Sequence, residues 1–265
     1  AEMREAGFAL DGADLAVAGD VPQGAGLSSS AALEVATALA VAALVGRGDE
    51  DRTALAKICQ RAENDFVGCR CGIMDQLVSA RGVEGAALLI DCRTLDCRPV
   101  PAPADAAIII VHSGVVHGHA GGAYNERRRQ CERAAGLLGA AALRDADEVM
   151  LARREQAFDP ATFRRARHVI TENRRTLAAA EAFGAGDFKT LGRLMRDSHR
   201  SMRDDFEITT PEIDRLADLM NAVIGDAGGA RMTGGGFGGS APPDTIIGGL
   251  VPVDSRMDAD RGIET

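Results

Sequence analysis

Four short stretches hold residue types that could do chemistry. The first is Gly24-Ala25-Gly26-Leu27-Ser28-Ser29-Ser30. An alternating run over residues 15–21 reads as a half-buried strand before it, and an Ala- and Leu-rich run to Val45 reads as a helix after it. Strand, glycine loop and helix in that order place unpaired amides and hydroxyls at a helix N-terminus, a setting that attracts phosphate. Glycine at 24 and 26 would let the backbone come close to a ligand. Ordinary helix capping accounts for the same pattern, and neither standard nucleotide fingerprint fits it. No lysine stands at the helix start, and Ser29 takes the place of a third glycine.

The second and third stretches each carry one carboxylate. Glu63 follows Ala62 at the border of an apolar stripe of Leu55, Ile58, Cys59, Ala62 and Phe66, where it can look into a cleft or into solvent. Asp75 stands early in the apolar segment 73–78, beyond Gly72, which permits a tight backbone. A charge there is costly unless it is paired, used, or held as a helix N-terminal carboxylate. The fourth stretch, residues 228–240, is rich in glycine around Gly234, Gly235 and Gly236, and composition reads it equally as a linker or as backbone pressed against a ligand. Pro242 and Pro243 then remove donors that a strand leaving this loop would need, and Ile246 and Ile247 come too late to restore it.

The elements that position these residues read as follows. A hairpin is expected from strands 86–91 and 95–100, then a linker at Pro99, Pro101 and Pro103, with a domain boundary near 103. A buried strand at 108–111 and a helix from Ala123, bearing Tyr124 and Arg127 to Arg129, open the second part. Helices follow at 161–183, 188–203 and 211–224, the last with Thr210 as N-cap and Pro211 in its first turn. Ser198 beside His199 does not make a nucleophile pair, because adjacent helical residues face different ways.

A chain of 265 residues with 46% hydrophobic and 26% charged residues is long enough for one large or two medium domains. Its net charge of −9 argues against general binding to nucleic acid or acidic membranes. No transmembrane span or secretory signal is read, and a cytoplasmic monomer is expected. Six cysteines without Cys-X-X-Cys spacing read as reduced, mostly buried thiols rather than a metal site.

Three motifs stand in one order: Pro22 to Ala31, Cys71-Gly72-Ile73-Met74-Asp75-Gln76, and Arg231 to Gly239. Together they resemble the small-molecule kinase family that includes galactokinase, homoserine kinase, mevalonate kinase and phosphomevalonate kinase, and within it the galactokinase branch. The likeness extends from about residue 15 to residue 239. It implies an α+β fold of two lobes, 1–103 binding ATP and 104–265 helix-rich, and transfer of phosphoryl from ATP to the 1-hydroxyl of galactose. It also implies roles: Gly24 to Ser30 on the ATP phosphates, Ser30 and Glu63 on Mg²⁺, Asp75 as catalytic carboxylate, Gly72, Asp75 and Tyr124 on the sugar, and Gly234 to Gly236 near the active site. N-acetylgalactosamine kinase and a silent sugar and ATP sensor are the alternatives.

The likeness enters the family pattern about a third of the way in, with no counterpart to the family's N-terminal arginine and sugar-binding acids and histidine, and Ser240-Ala241-Pro242-Pro243 replaces the usual end. The expectation is therefore an incomplete first lobe and little turnover.

Overall fold

A computed structural model of the chain describes residues 1–9, 12–21, 27–68, 71–113, 120–234, 236 and 246–252. The chain divides into two units, Ala1–Pro101 and Ala102–Thr265. Mixed helix and strand make the architecture α+β.

The first unit holds α1 (Glu2–Glu5), α2 (Ser29–Leu44), α3 (Arg52–Arg61), a π-helical segment (Ala62–Val67), α4 (Met74–Arg81), β1 (Ala86–Ile90) and β2 (Cys97–Pro101). On α2, Ala31, Val35, Ala38, Val41 and Ala42 are buried, at spacings that keep them on one face. The small residues among them let neighbouring helices come close. Asp51 starts α3 by accepting from the amides of Thr53 and Ala54 at 3.1 and 3.2 Å. Leu55, Ile58 and Cys59 then pack against α2, and Phe8 closes this core under the Arg47 guanidinium, 3.8 Å from the ring centre. A smaller cluster of Ala56, Ile73 and Leu77 seats α4 on α3. Burying a side chain such as Leu77 contributes about 1.5–3 kcal/mol.

Three readings of the sequence are corrected in this unit. Residues 15–20 carry no regular structure, and Leu15 and Val17 are 53% and 70% exposed. Alternation alone does not make a strand; ladder bonds need a neighbour, and no described strand pairs with this run. Phe66 is also exposed rather than part of the buried stripe. The π-helical turn takes an extra residue per turn, which rotates everything after Ala62 off the α-helical register.

β1 and β2 form an antiparallel hairpin in which Pro99 lies opposite Leu88 and Pro101 opposite Ala86. The prolines expected to form a linker are thus partly strand. Placed two apart on a two-stranded edge, they direct both missing donors to one side. The Asp91 carboxylate accepts from the amides of Arg93 and Thr94 and shapes the turn.

The second unit runs β3 (Ala106–His112), α5 (Ala120–Leu138), α6 (Glu148–Arg153), α7 (Pro160–Gly184), α8 (Phe188–Ser201), a second π-helical segment (Met202–Phe206), α9 (Pro211–Ile224), β4 (Gly229–Thr233) and β5 (Ile246–Pro252), with short 3₁₀ turns between. Asp147, Asp159, Asp187 and Thr210 cap α6 to α9 through backbone amides three residues on. One core joins Ala134, Leu138, Leu151, Ala166 and Ile170; another joins Ile213, Ala217, Ala230 and Met232.

The sheet order is β3-β5-β4, antiparallel throughout. The absence of a strand after the glycine loop was a misreading, since β5 occupies the centre of the sheet. Among the described residues the paired run of β5 begins at Ile246, later in the sequence than Pro242 and Pro243, so the ladder from there on does not need their missing donors. Gly248 lies opposite both Ile110 and Arg231. Among the described residues, no helix is long and apolar enough to cross a membrane.

Candidate active site

In the first unit, α2, α3 and α4 pack together and bring Glu34, Glu63 and Gln76 into one cluster. Glu34 lies one turn after Ser30, so the two share a face of α2. Glu63 is the second residue of the π-helical segment, a local irregularity of the kind that re-aims a side chain. Its Oε2 is out of contact with solvent and has no hydrogen-bond partner among the described residues. Gln76 is buried to 1% exposure; its Nε2 donates to Glu34 Oε2 at 3.4 Å, and its Oε1 is likewise buried without a partner.

Asp75 precedes Gln76 in the first turn of α4, half-buried, with no ion pair or side-chain hydrogen bond to a described residue. Two contacts fix the approach to it. Gln60 on α3 donates to the carbonyl of Cys71 at 3.2 Å, and the Cys71 thiol lies 3.6 Å from Asn64 Oδ1 on the π-helical segment. The turn that carries Glu63 therefore also anchors the segment that leads into Asp75. At the other end of α4, Arg81 donates to the Thr53 hydroxyl at 3.0 Å.

Electrostatics mark the same cluster. Burial, then a hydrogen bond and charge repulsion from Glu63, push the Glu34 carboxyl up to about 7, while the Gln76 hydrogen bond pulls the other way. The Glu63 carboxylate thus adds to the cost of a negative charge on Glu34, a cost that a bound cation would relieve. Burial also pushes the Cys59 thiol up to about 11, with the Glu34 charge adding to it. This thiol is an inert core residue. Of the described cysteines only Cys59 is fully buried, and Cys92 is exposed, so the expectation of mostly buried thiols was too strong.

Ser28 is the N-cap of α2 in a left-handed conformation, and its side chain makes no capping hydrogen bond. Ser29 and Ser30 begin the helix, with Ser30 exposed, and Leu27 is half-buried just before it. Among the described residues no side chain caps this 16-residue helix start, a setting that suits an anion. Gly24, Ala25, Gly26 and Gly235 lie outside the described residues. Gly72 does not take the left-handed region, and a Cβ there would meet nothing within 4 Å, so the tight backbone expected at this point is not seen.

In the second unit, β4 leads into the glycine loop and is pinned by three helices. Arg231 donates to Ser198 Oγ on α8 at 2.9 Å and to Glu172 Oε1 on α7 at 3.3 Å. The Met232 amide donates to His199 Nδ1 at 3.1 Å, and His199 Nε2 faces Asp214 of α9 at 3.2 Å. With Nδ1 accepting, the ring proton sits on Nε2, toward the carboxylate. Ser198 and His199 thus serve separate partners. Beyond β4, Gly234 and Gly236 take φ of 87° and 78°, and a Cβ at Gly236 would lie 2.7 Å from the Ile208 carbonyl oxygen. Only glycine suits that position. Tyr124, on the first half of α5, is 39% exposed.

Sequence reasoning singled out Glu63 and Asp75 but not Glu34, Gln60, Asn64 or Gln76. Polar residues within helices look like solvent-facing ones, and only the packing of α2, α3 and α4 reveals otherwise. The Glu34 signal was present in one respect, as a carboxylate within an otherwise apolar helix.

Comparison with known proteins matches residues 1–83 to the GHMP kinases N terminal domain and residues 179–241 to the GHMP kinases C terminal domain. The fold is similar to the crystal structure of Lactococcus lactis galactokinase complexed with galactose, with a TM-score of 0.82 and 30% sequence identity. That match covers 95% of this chain and 64% of the Lactococcus chain, so this chain spans less than two thirds of that galactokinase. Taken with the α+β architecture, both matched domains place the chain in the GHMP kinase family, with a galactokinase-like structure.

Proposed function

We propose that the chain carries the phosphoryl-transfer centre of a galactokinase, which moves the γ-phosphoryl group of ATP to the 1-hydroxyl of galactose. The observation that carries this reading is the buried, unpartnered Glu63 Oε2 in a cluster whose Gln76 adjoins Asp75. Phosphoryl transfer depends chiefly on positioning and on neutralising charge. Asp75, which no described side chain neutralises, would accept the hydroxyl proton as the sugar oxygen attacks phosphorus. Ser28 to Ser30 and the start of α2 would hold phosphate oxygens, joined by the Gly24–Gly26 loop.

The donor set fits Mg²⁺. Among the described residues no three His, Cys, Asp or Glu side chains could hold a metal by themselves, and a hard cation shared with phosphates needs fewer protein ligands than that. Glu63, through its orphaned oxygen, and Ser30 would hold it. When bound it would supply charge neutralisation at the phosphates.

The test is sugar-dependent ADP release over a panel of hexoses by a full-length version of the protein, extended upstream and downstream of this chain, with D75N beside the wild type. Galactose is expected to be the best substrate, and D75N to lower kcat by about 10²–10⁴-fold with little change in nucleotide affinity. Preference for N-acetylgalactosamine would reassign the substrate. Binding of galactose and ATP without ADP release would identify a sensor instead.

A further inference from the structure

The geometry points to Gln76 and Glu34 as the outer layer of the cation site at Glu63, where they hold water molecules of a hydrated divalent cation; this rests on the phosphoryl-transfer reading above. Gln76 is 1% exposed on a helix whose next residue, Leu77, is fully buried in an apolar cluster with Ala56 and Ile73. Packing alone would be served as well by a leucine at 76. An amide there costs free energy unless both its ends are satisfied.

One end is satisfied, through Nε2 and the Glu34 carboxylate at 3.4 Å. Oε1 is not, and neither is Glu63 Oε2, whose carboxyl group interacts with the same Glu34. Two buried acceptors without donors, linked through Glu34, lack the one thing that coordinated water provides: polarised O–H groups. Mg²⁺ keeps several of its waters when it binds protein, and those waters donate outward. Glu63 would hold the cation, and Gln76 Oε1 and Glu34 would accept hydrogen bonds from the waters that such a cation keeps. Ser30, one turn away on the face of Glu34, lies on the same side of α2. Gln76 and Glu34 are thereby positioning residues, acting on the reaction through the cation that Glu63 binds.

Mn²⁺ is the probe, titrated by electron paramagnetic resonance into the protein with and without ADP, for wild type, E34Q and Q76L. Each variant is expected to bind Mn²⁺ about 10-fold or more weakly, with ADP affinity in the absence of metal unchanged. Wild-type Mn²⁺ affinity in both folded variants would overturn the inference. So would a wild type that binds no Mn²⁺. Should Q76L fail to fold, Q76M with E34Q decides, and a loss of stability with intact Mn²⁺ affinity counts against the proposal. Sugar-dependent ADP release tests the phosphoryl-transfer reading separately, so active enzyme with unaltered Mn²⁺ binding in the variants would sink this inference alone.

Discussion

His168 shows how a single residue ties stability to pH. Its ring is buried, stacked on Phe206 with centroids 4.4 Å apart, and its Nδ1 lies 2.9 Å from Ser201 Oγ. Ser201 donates in turn to Asp205 Oδ2 at 3.1 Å, so the imidazole donates from Nδ1 and stays neutral. Burial pushes its pKa down to about 4. An unfolded chain takes up the proton near pH 6.5, so between that pH and about 4 the unfolded state binds more protons than the folded one. Stability linked to this group is complete above pH 6.5 and is lost as pH falls through 4. The difference amounts to about 3 kcal/mol at most. Urea unfolding of wild type and H168Q at a series of pH values is expected to show a shallower acid loss in the variant. Parallel curves would remove His168 from the account.

At the scale of elements, close approach between α8 and β4 sets the seat of the glycine loop. A Cβ on Gly192 would lie 1.7 Å from the Gly228 carbonyl oxygen, which is backbone and cannot swing away. G192A is therefore expected to destabilise by about 1–3 kcal/mol. G136A is the counterpart. Gly136 is exposed within α5, and a Cβ there meets nothing within 4 Å, so alanine should stabilise by about 0.5–1 kcal/mol through helix propensity. Thermal unfolding of both variants checks the pair, and equal midpoints would refute the packing argument.

These elements were unevenly legible in the sequence. The bounds of α9 follow from local chemistry at Thr210 and Pro211, and the structure has them at the residues read. Both π-helical segments escaped notice because an inserted residue leaves composition unchanged, yet one turns Phe66 outward and carries Glu63. β4 and β5 were missed because their partners lie far off along the chain. Asp75 and Glu63 stood out as charges among apolar residues; Glu34 and Gln76 needed the packing of three helices before the burial of Gln76 and its contact with Glu34 could be seen.

At the scale of the whole molecule, the second unit holds its own means of folding. Two apolar clusters among its described residues draw only on that unit. So does its polar network: Arg165 donates to Gln130 at 3.1 Å, to the Asp205 carbonyl and to Glu207, while Arg127 donates to the carbonyls of Phe206 and Glu207 at 2.6 and 3.0 Å. Every buried group named there finds its partner after residue 101. The Glu207 carboxyl, held by Arg165 and Arg164, is pulled down to about 2, which keeps this network charged through the physiological range. A fragment of residues 102–265 is therefore expected to fold by itself, with helical circular dichroism and one cooperative urea transition of about 5–15 kcal/mol. In that fragment R165A should cost about 1–3 kcal/mol, because it leaves the buried Asp205 carbonyl without this donor, while Arg164 still holds Glu207. A fragment with broad, non-cooperative unfolding, or one indifferent to R165A, would show that these contacts do not suffice.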